Sequence, residues 1–371
     1  VPVGRLTNVD LMRVIVFTFV ISAHVVTYTL DQEELPVAAW GLTVHFARYA
    51  FVFVSALVLC HGYQDRNLSA CRFWRRRLAA VVPPYVLWTL IYYGIDTAQY
   101  GWPGLVPWLQ LLLLHLVWGT EWYHLYFLLV AIQLYLVLPA LRWMTDQWPA
   151  AHGLMIGIAA VIQLGYMTLI NLVPAPAGPW VIIWEHAEKS LPLYALFAVG
   201  GAVAARHLDQ LETGLLRHWR LLVPIGVLSL LGTLVAFNLR AAGTATWSAA
   251  AASFPSVLPW AVAATLICLL ASTAWTRHHA TPRGINHIVR AGARRAFGVF
   301  LIHPLLLWII VITPSPLDQL PGTLSRVLII FILTITGSLA VVELLLHTSL
   351  SKPLLGRSRT TRPSQTELQP G

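Results

Sequence analysis

Long apolar runs alternate with short polar connections along almost the whole chain. Ten runs can be drawn, at 11–30, 39–61, 78–96, 122–140, 153–172, 190–205, 221–239, 257–275, 296–313 and 326–347. Each is near the ~20 residues that a helix needs to cross ~30 Å of hydrocarbon. The stretch 104–118 (GLVPWLQLLLLHLVW) is apolar but short. It reads as a helix lying at the outer surface or packed against the bundle. The pattern predicts an all-α polytopic membrane bundle of about ten transmembrane helices, formed by residues 1–350. Residues 351–371 are polar, basic and Pro-containing, and read as a disordered cytoplasmic tail. The sequence has no internal repeat and no second soluble domain.

Composition agrees. Hydrophobic residues make up 57% of the chain and charged residues 11%, against about 45–50% and about 25% in an ordinary soluble domain. That excludes a soluble globule, a disordered chain and a disulfide scaffold. Of the three cysteines, Cys60 and Cys268 fall in apolar spans and Cys71 in a basic loop. On a soluble protein a net charge of +9 would suggest nucleic acid. Here arginine-rich cytoplasmic loops account for it, and no nucleic-acid partner is expected. With the N-terminus cytoplasmic, the inside holds 20 of the 24 lysines and arginines. The outside holds only Lys189, Arg240 and Arg326, and Arg48 lies within the second span. This lopsided split sets the orientation, with both termini cytoplasmic in a multi-pass cell-membrane protein. The first span could pass for a signal peptide, but Arg13 interrupts its apolar region, which argues for a retained helix.

An ionisable side chain at membrane depth costs a few kcal/mol or more and is a functional-site hypothesis by default. Arg13, His24, Arg48 and Glu343 stand out. Arg13 and His24 are 11 residues apart. At ~100° and ~1.5 Å per residue they share one helix face, ~16 Å apart along the axis. This places Arg13 near the inner interface and His24 in the outer half, joined by one polar stripe. Arg13 could instead be a snorkelling anchor paired with Asp10, and a lone intramembrane His can be a packing residue. The RFWRRR run at 72–77 suits lipid headgroups and the phosphates of a nucleotide-like donor equally well. Arg48 needs a partner or a wet cavity, the simplest being an ion pair with Glu343 or Glu121. His278, His279 and His287 lack metal-ligand spacing, and no metal site is expected.

At these residues the chain resembles the acyltransferase-3 family of integral membrane acyltransferases. The resemblance runs through Arg13 and His24 in NVDLMRVIVFTFVISAH, FVFVSA at 51–56, FWRRRLAAVVPPY at 73–85, WYHLYFLLVAIQLYLVLP at 122–139 and FGVFLIHPLLL at 297–307. It covers about residues 5–355. Two positions depart from the family pattern. Ala56 stands where the family has Gly. Aligned on Pro84-Tyr85, Arg77 fills the first of two arginine positions and Ala80 the second, while Arg72 and Arg75 have the family spacing earlier. The Trp-Ser-Leu…Glu segment of one large branch is absent. HLYFL at 124–128 is similar to the branch that acetylates envelope glycans without a fused extracytoplasmic domain.

The resemblance implies transfer of an acyl group, usually acetyl, from cytoplasmic acyl-CoA to a hydroxyl. Acetyl-CoA would be a co-substrate, with no bound cofactor. The acceptor would be a glycan, a glycolipid or a lipid-linked sugar. Arg13, Arg72, Arg75 and Arg77 would hold the CoA phosphates. His24 would act as general base on the acceptor or relay the acyl group. His124 and His303 match family positions and could line the same cavity, as could Arg48 and Glu343. A transporter or flippase of a lipid-linked glycan would need the same polar cavity and basic inner mouth. The sequence has no inverted repeat and no matched pair of broken helices to support it. A scaffold for an envelope synthase is a third reading, in which Arg13 and His24 are replaceable.

Overall fold

The computed structural model describes residues 7–64, 69–278, 283–312 and 322–359. Arg5, Arg66, His279, Arg362 and most of the tail lie outside the described residues. Among those described there is no strand. The helices are α1 (Thr7–Thr29), α2 (Leu35–Val44), α3 (Phe46–Gly62), α4 (Ala70–Tyr100), α5 (Leu105–Trp118), α6 (Tyr126–Gln147), α7 (His152–Leu172), α8 (Val181–Glu185), α9 (Ala195–Arg206), α10 (Leu208–Ala241), α11 (Thr246–Ala249), α12 (Leu258–His278), α13 (Arg283–Ile312), α14 (Thr323–Leu346) and α15 (Ser351–Leu355). Nine among the described residues are long and apolar enough to cross a membrane, with α2 and α3 counted as one. The chain is an all-α polytopic bundle.

The tenth predicted span, 190–205, is shorter than expected. A 3₁₀ turn at Leu191–Tyr194 precedes α9, which has only 12 helical residues. The chain before it, from Val173, is irregular apart from short turns and α8. The stretch is exposed through residue 181 and is tied to the bundle only at its end, where Gln133 Nε2 donates to the Lys189 carbonyl at 2.8 Å and the Tyr166 hydroxyl donates to the Ala187 carbonyl at 3.0 Å. α9 is built of small residues and lies tight on α3. A Cβ at Gly201 would meet the Phe53 carbonyl oxygen.

α1 is the hub, packed on α2, α3, α12, α13 and α14. Its buried residues divide between two clusters. Val9, Met12 and Val16 join α3, α9 and α12, whereas Phe17, Ile21 and Val25 join α4, α13 and α14. The inner ends are tied by charge. Asp146 bridges Arg142 and Arg206, and Glu212 accepts from Asn8 on α1 and Arg277 on α12. The tail corrects one expectation: its first residues form α15, with Ser351 and Leu355 buried against α4. Pro353 sits in the first turn of this helix, where a missing N–H costs nothing.

Two further features shape the outer half. The second span is interrupted at His45, between α2 and α3. α5 takes the second of the two courses read from the sequence: it packs back along the outer half of α4, with Leu112 buried and most of its other side chains exposed. Tyr93 stacks on Trp108 at 5.0 Å, and the Tyr85 hydroxyl donates to the Leu116 carbonyl at 2.7 Å. The turn after α5 rests on Gly119, with φ +61, where a Cβ would lie 2.7 Å from the Tyr126 Cα. That turn feeds residues 120–125 into the bundle rather than around it.

Candidate active site

A cavity of about 380 Å³ opens toward the outer face between α1, α3, α6 and α13. His24, His45, Arg48 and His124 all border it, with Tyr123 and Trp247. Each arrives for a local reason. His24 is on the cavity face of α1. His45 and Arg48 flank the helix break. Tyr123 and His124 sit on the connection that Gly119 turns inward.

The His24 ring lies 4.4 Å from the Tyr123 ring and 5.4 Å from His303, centroid to centroid. His124 is 5.8 Å from His303. His303 does not border the cavity; it is fully buried behind the other two. Next in α13, Pro304 has no N–H, which leaves the Phe300 carbonyl without its helical donor. His303 Nδ1 lies 3.1 Å from the Val299 carbonyl. A carbonyl can only accept, so Nδ1 carries the proton and Nε2 keeps its lone pair. That Nε2 has no protein partner. Three imidazoles thus form one cluster, with His24 at its exposed edge.

The floor of the cavity is apolar. The innermost lining residues are Val20 on α1, Phe51 on α3, Phe127 on α6 and Phe300 on α13. Phe127 sits 6.0 Å from Phe51 and 6.1 Å from Phe300. Arg13 lies seven residues inward from Val20, about 10 Å below the floor. The predicted polar stripe is therefore interrupted: Arg13 and His24 share α1 but not a cavity.

The inner arginines are not equivalent. Arg72 and Arg75 are exposed on the first turns of α4. Arg77 is half-buried, its guanidinium is 5.9 Å from the Phe73 ring, and its Nε has no protein acceptor. Arg13 is 3.8 Å from Asp10, the pairing expected of an anchor.

Over residues 6–343 the chain matches the acyltransferase-3 family, described as an acyltransferase domain. The chain belongs to this family. It is a multi-pass membrane acyltransferase. No curated protein and no solved structure matches it.

Two expectations about this acyltransferase are corrected. Arg48 pairs with neither Glu343 nor Glu121; its closest carboxylate is Glu188, at 3.5 Å. Glu343 is not in the cavity. It accepts from Arg295 Nε at 2.7 Å and lies 3.3 Å from His347. Glu121 is held instead by α5, with His115 Nε2 at 3.2 Å. Burial pushes the Glu121 carboxyl up to about 8, and the neighbouring Asp96 adds to the rise. His45, Tyr123, Glu188 and Trp247 went unread in the sequence. His45 was accessible to the argument that found Arg48, being a titratable residue three positions earlier in the same span. Glu188 and Trp247 lie in segments without periodicity, where no pattern assigns depth.

Proposed function

We propose that this acyltransferase moves an acyl group, acetyl in the simplest case, from cytoplasmic acyl-CoA to a hydroxyl of an envelope glycan or glycolipid. It would act in the cell membrane. The observation that carries the reading is His24: an imidazole at the edge of an outward-facing cavity, ~16 Å along one helix from a cytoplasmic-side arginine. Arg13 and Arg77 supply guanidinium groups for the CoA phosphates. The extended thioester arm then runs along α1 toward the cavity.

The step balances as a simple acyl transfer. His24 removes the proton of the acceptor hydroxyl as its oxygen attacks the thioester carbonyl carbon. The C–O bond forms, the C–S bond breaks, and the CoA thiolate takes the proton back from the His24 imidazolium. A neutral imidazole is suited to this task because it can both accept and return a proton. Stacked behind it, His303 limits the ring's freedom, and Tyr123 does so from the side.

Membranes carrying the protein should transfer label from radiolabelled acetyl-CoA to the glycan or glycolipid fraction. His24→Gln keeps some hydrogen bonding but takes up no proton, so transfer should fall by roughly 10²–10⁴. Expression and CoA binding should persist, since the arginines lie ~16 Å away. Near wild-type transfer by folded His24→Gln protein would remove His24 from the chemistry. Absence of any transfer, with glycan still crossing the membrane, would favour a flippase.

A further inference from the structure

Arg48 is a cation without a sufficient partner. Its side chain is only 13% exposed, yet its contacts are long: Nη1 lies 3.5 Å from both the Tyr126 hydroxyl and Glu188 Oε2. Charge-assisted bonds between guanidinium and carboxylate are typically ~2.7–2.9 Å. Nε and Nη2, the pair of donors that grips a carboxylate in bidentate fashion, have no acceptor at all. Glu188 faces Arg48 through Oε2 alone, since Oε1 accepts from the Ser253 hydroxyl. One long ion pair and the Tyr49 ring at 5.4 Å leave the bidentate edge of the guanidinium free to take a second anion.

The surroundings say where it arrives. A second cleft, of about 470 Å³, shares His45, Arg48, Tyr126 and Trp247 with the histidine cavity and extends outward to Lys189 and Ser248. Together they make one path from the outer surface to His24. Within the second cleft Arg48 and Lys189 stand against the single carboxylate Glu188. Asp31, Glu33 and Glu34 lie on the turn around Gln32 at the rim of the histidine cavity, where Glu33 accepts from the Thr246 amide at 2.7 Å. The Trp247 indole lies beside His45, with ring centroids 6.3 Å apart. A flat aromatic wall suits the apolar C–H face of a pyranose ring, while its hydroxyls meet the polar rim.

We infer that this outer path is the acceptor's subsite, and that it selects a sugar carrying a carboxylate, gripped by the Arg48 guanidinium with the ring against Trp247. The inference rests on the proposed acyl transfer for its biological sense, but not for its test. The carboxylate fixes the sugar in one register, so that one hydroxyl reaches His24 while others do not. A neutral sugar would fill the same volume and leave Nε and Nη2 of Arg48 without an anionic acceptor. Arg48 here is a specificity residue for the acceptor, distinct from the arginines below the Phe floor.

The test uses full-length protein in phosphatidylcholine nanodiscs, which carry no net lipid charge. Three radiolabelled probes are compared by equilibrium dialysis: phenyl β-D-glucuronide, its neutral methyl ester and phenyl β-D-glucoside. The glucuronide should bind roughly ten- to hundredfold tighter than either neutral probe, the range set by a charge-assisted pair. The preference should shrink in Arg48→Lys, which keeps charge but not the fork, and vanish in Arg48→Gln. Equal binding of all three probes to the wild-type protein overturns the inference without recourse to any variant. So does a preference that survives in folded Arg48→Gln protein. The same samples are assayed for transfer from acetyl-CoA. An intact glucuronide preference without transfer to any probe would count against acylation of sugars and leave the anion subsite standing. Transfer without the preference would do the reverse.

Discussion

Arg77 differs from its neighbours because helix α4 turns it inward, against Phe73. A half-buried guanidinium loses less to solvent screening than an exposed one, so it should matter more for holding a phosphate. Arg77→Ala and Arg13→Ala should each weaken CoA binding by about 1–3 kcal/mol. Arg72→Ala and Arg75→Ala, on exposed turns, should cost less and mainly steepen or flatten the salt dependence. Calorimetric titration of CoA into purified variants separates these. Equal affinity in all four would return the arginines to the role of lipid anchors. That these residues could be picked out beforehand follows from the cost of charge in hydrocarbon, which flags Arg13, His24 and Arg48 from composition alone. The same cost does not say which partner a charge finds. Glu188 reaches Arg48 through an irregular segment that no period describes, whereas Glu343 finds Arg295 at the inner end of α13.

At the scale of elements, the short helix α5 decides where residues 120–125 lie, and so where His124 and Tyr123 point. Its far end is fastened by Glu121, which pairs with His115. The Glu121 carboxyl is raised from 4.5 to about 8 in the folded protein, so the native state holds this proton more tightly than the unfolded chain. Stability from this group is therefore complete below the unfolded value, declines as pH rises and is lost above about 8. Wild-type protein in detergent should show a Tm that falls from about pH 5 to about pH 8 and levels off above it. Glu121→Gln, which keeps a hydrogen-bonding amide and cannot ionise, should flatten that decline. An identical slope in the variant would show that another group controls it. The presence and type of most helices were legible, because a run of ~20 apolar residues leaves few alternatives. The helix break at His45 and the 3₁₀ entry to α9 were not, and for α5 the sequence left two courses open. Each depends on packing against distant segments rather than on local pattern.

On the scale of the whole molecule, charge and cavity point in opposite directions. The arginine-rich end faces the cytoplasm by the distribution of basic residues, and the cavity opens at the other. Reporter fusions in the loop after residue 278 should accordingly read cytoplasm, and fusions near residue 102 should read the outside. Inverted readings would place the arginines away from any cytoplasmic donor.

Between the two ends lies the floor of Val20, Phe51, Phe127 and Phe300. If acyl transfer joins an inner donor to an outer acceptor, the thioester must pass this level, and the floor is the one stretch of α1 where the two half-sites can meet. Val20 is the smallest of the four and stands on the helix that carries both Arg13 and His24. Val20→Trp would fill the passage with an indole while touching neither end. Acetyl transfer should drop by roughly a hundredfold, the scale expected when reacting atoms are kept from their proper approach. CoA affinity should remain within about twofold, because the arginines lie about 10 Å further in. Binding of the acceptor probes at Arg48 should persist as well. Transfer assays beside both binding assays, on protein that elutes as wild type, distinguish the outcomes. Loss of transfer with both ligands still bound is what a through-bundle route requires. Full transfer by Val20→Trp would mean that the acyl group reaches His24 by another path, and the arginine end would then need a different substrate.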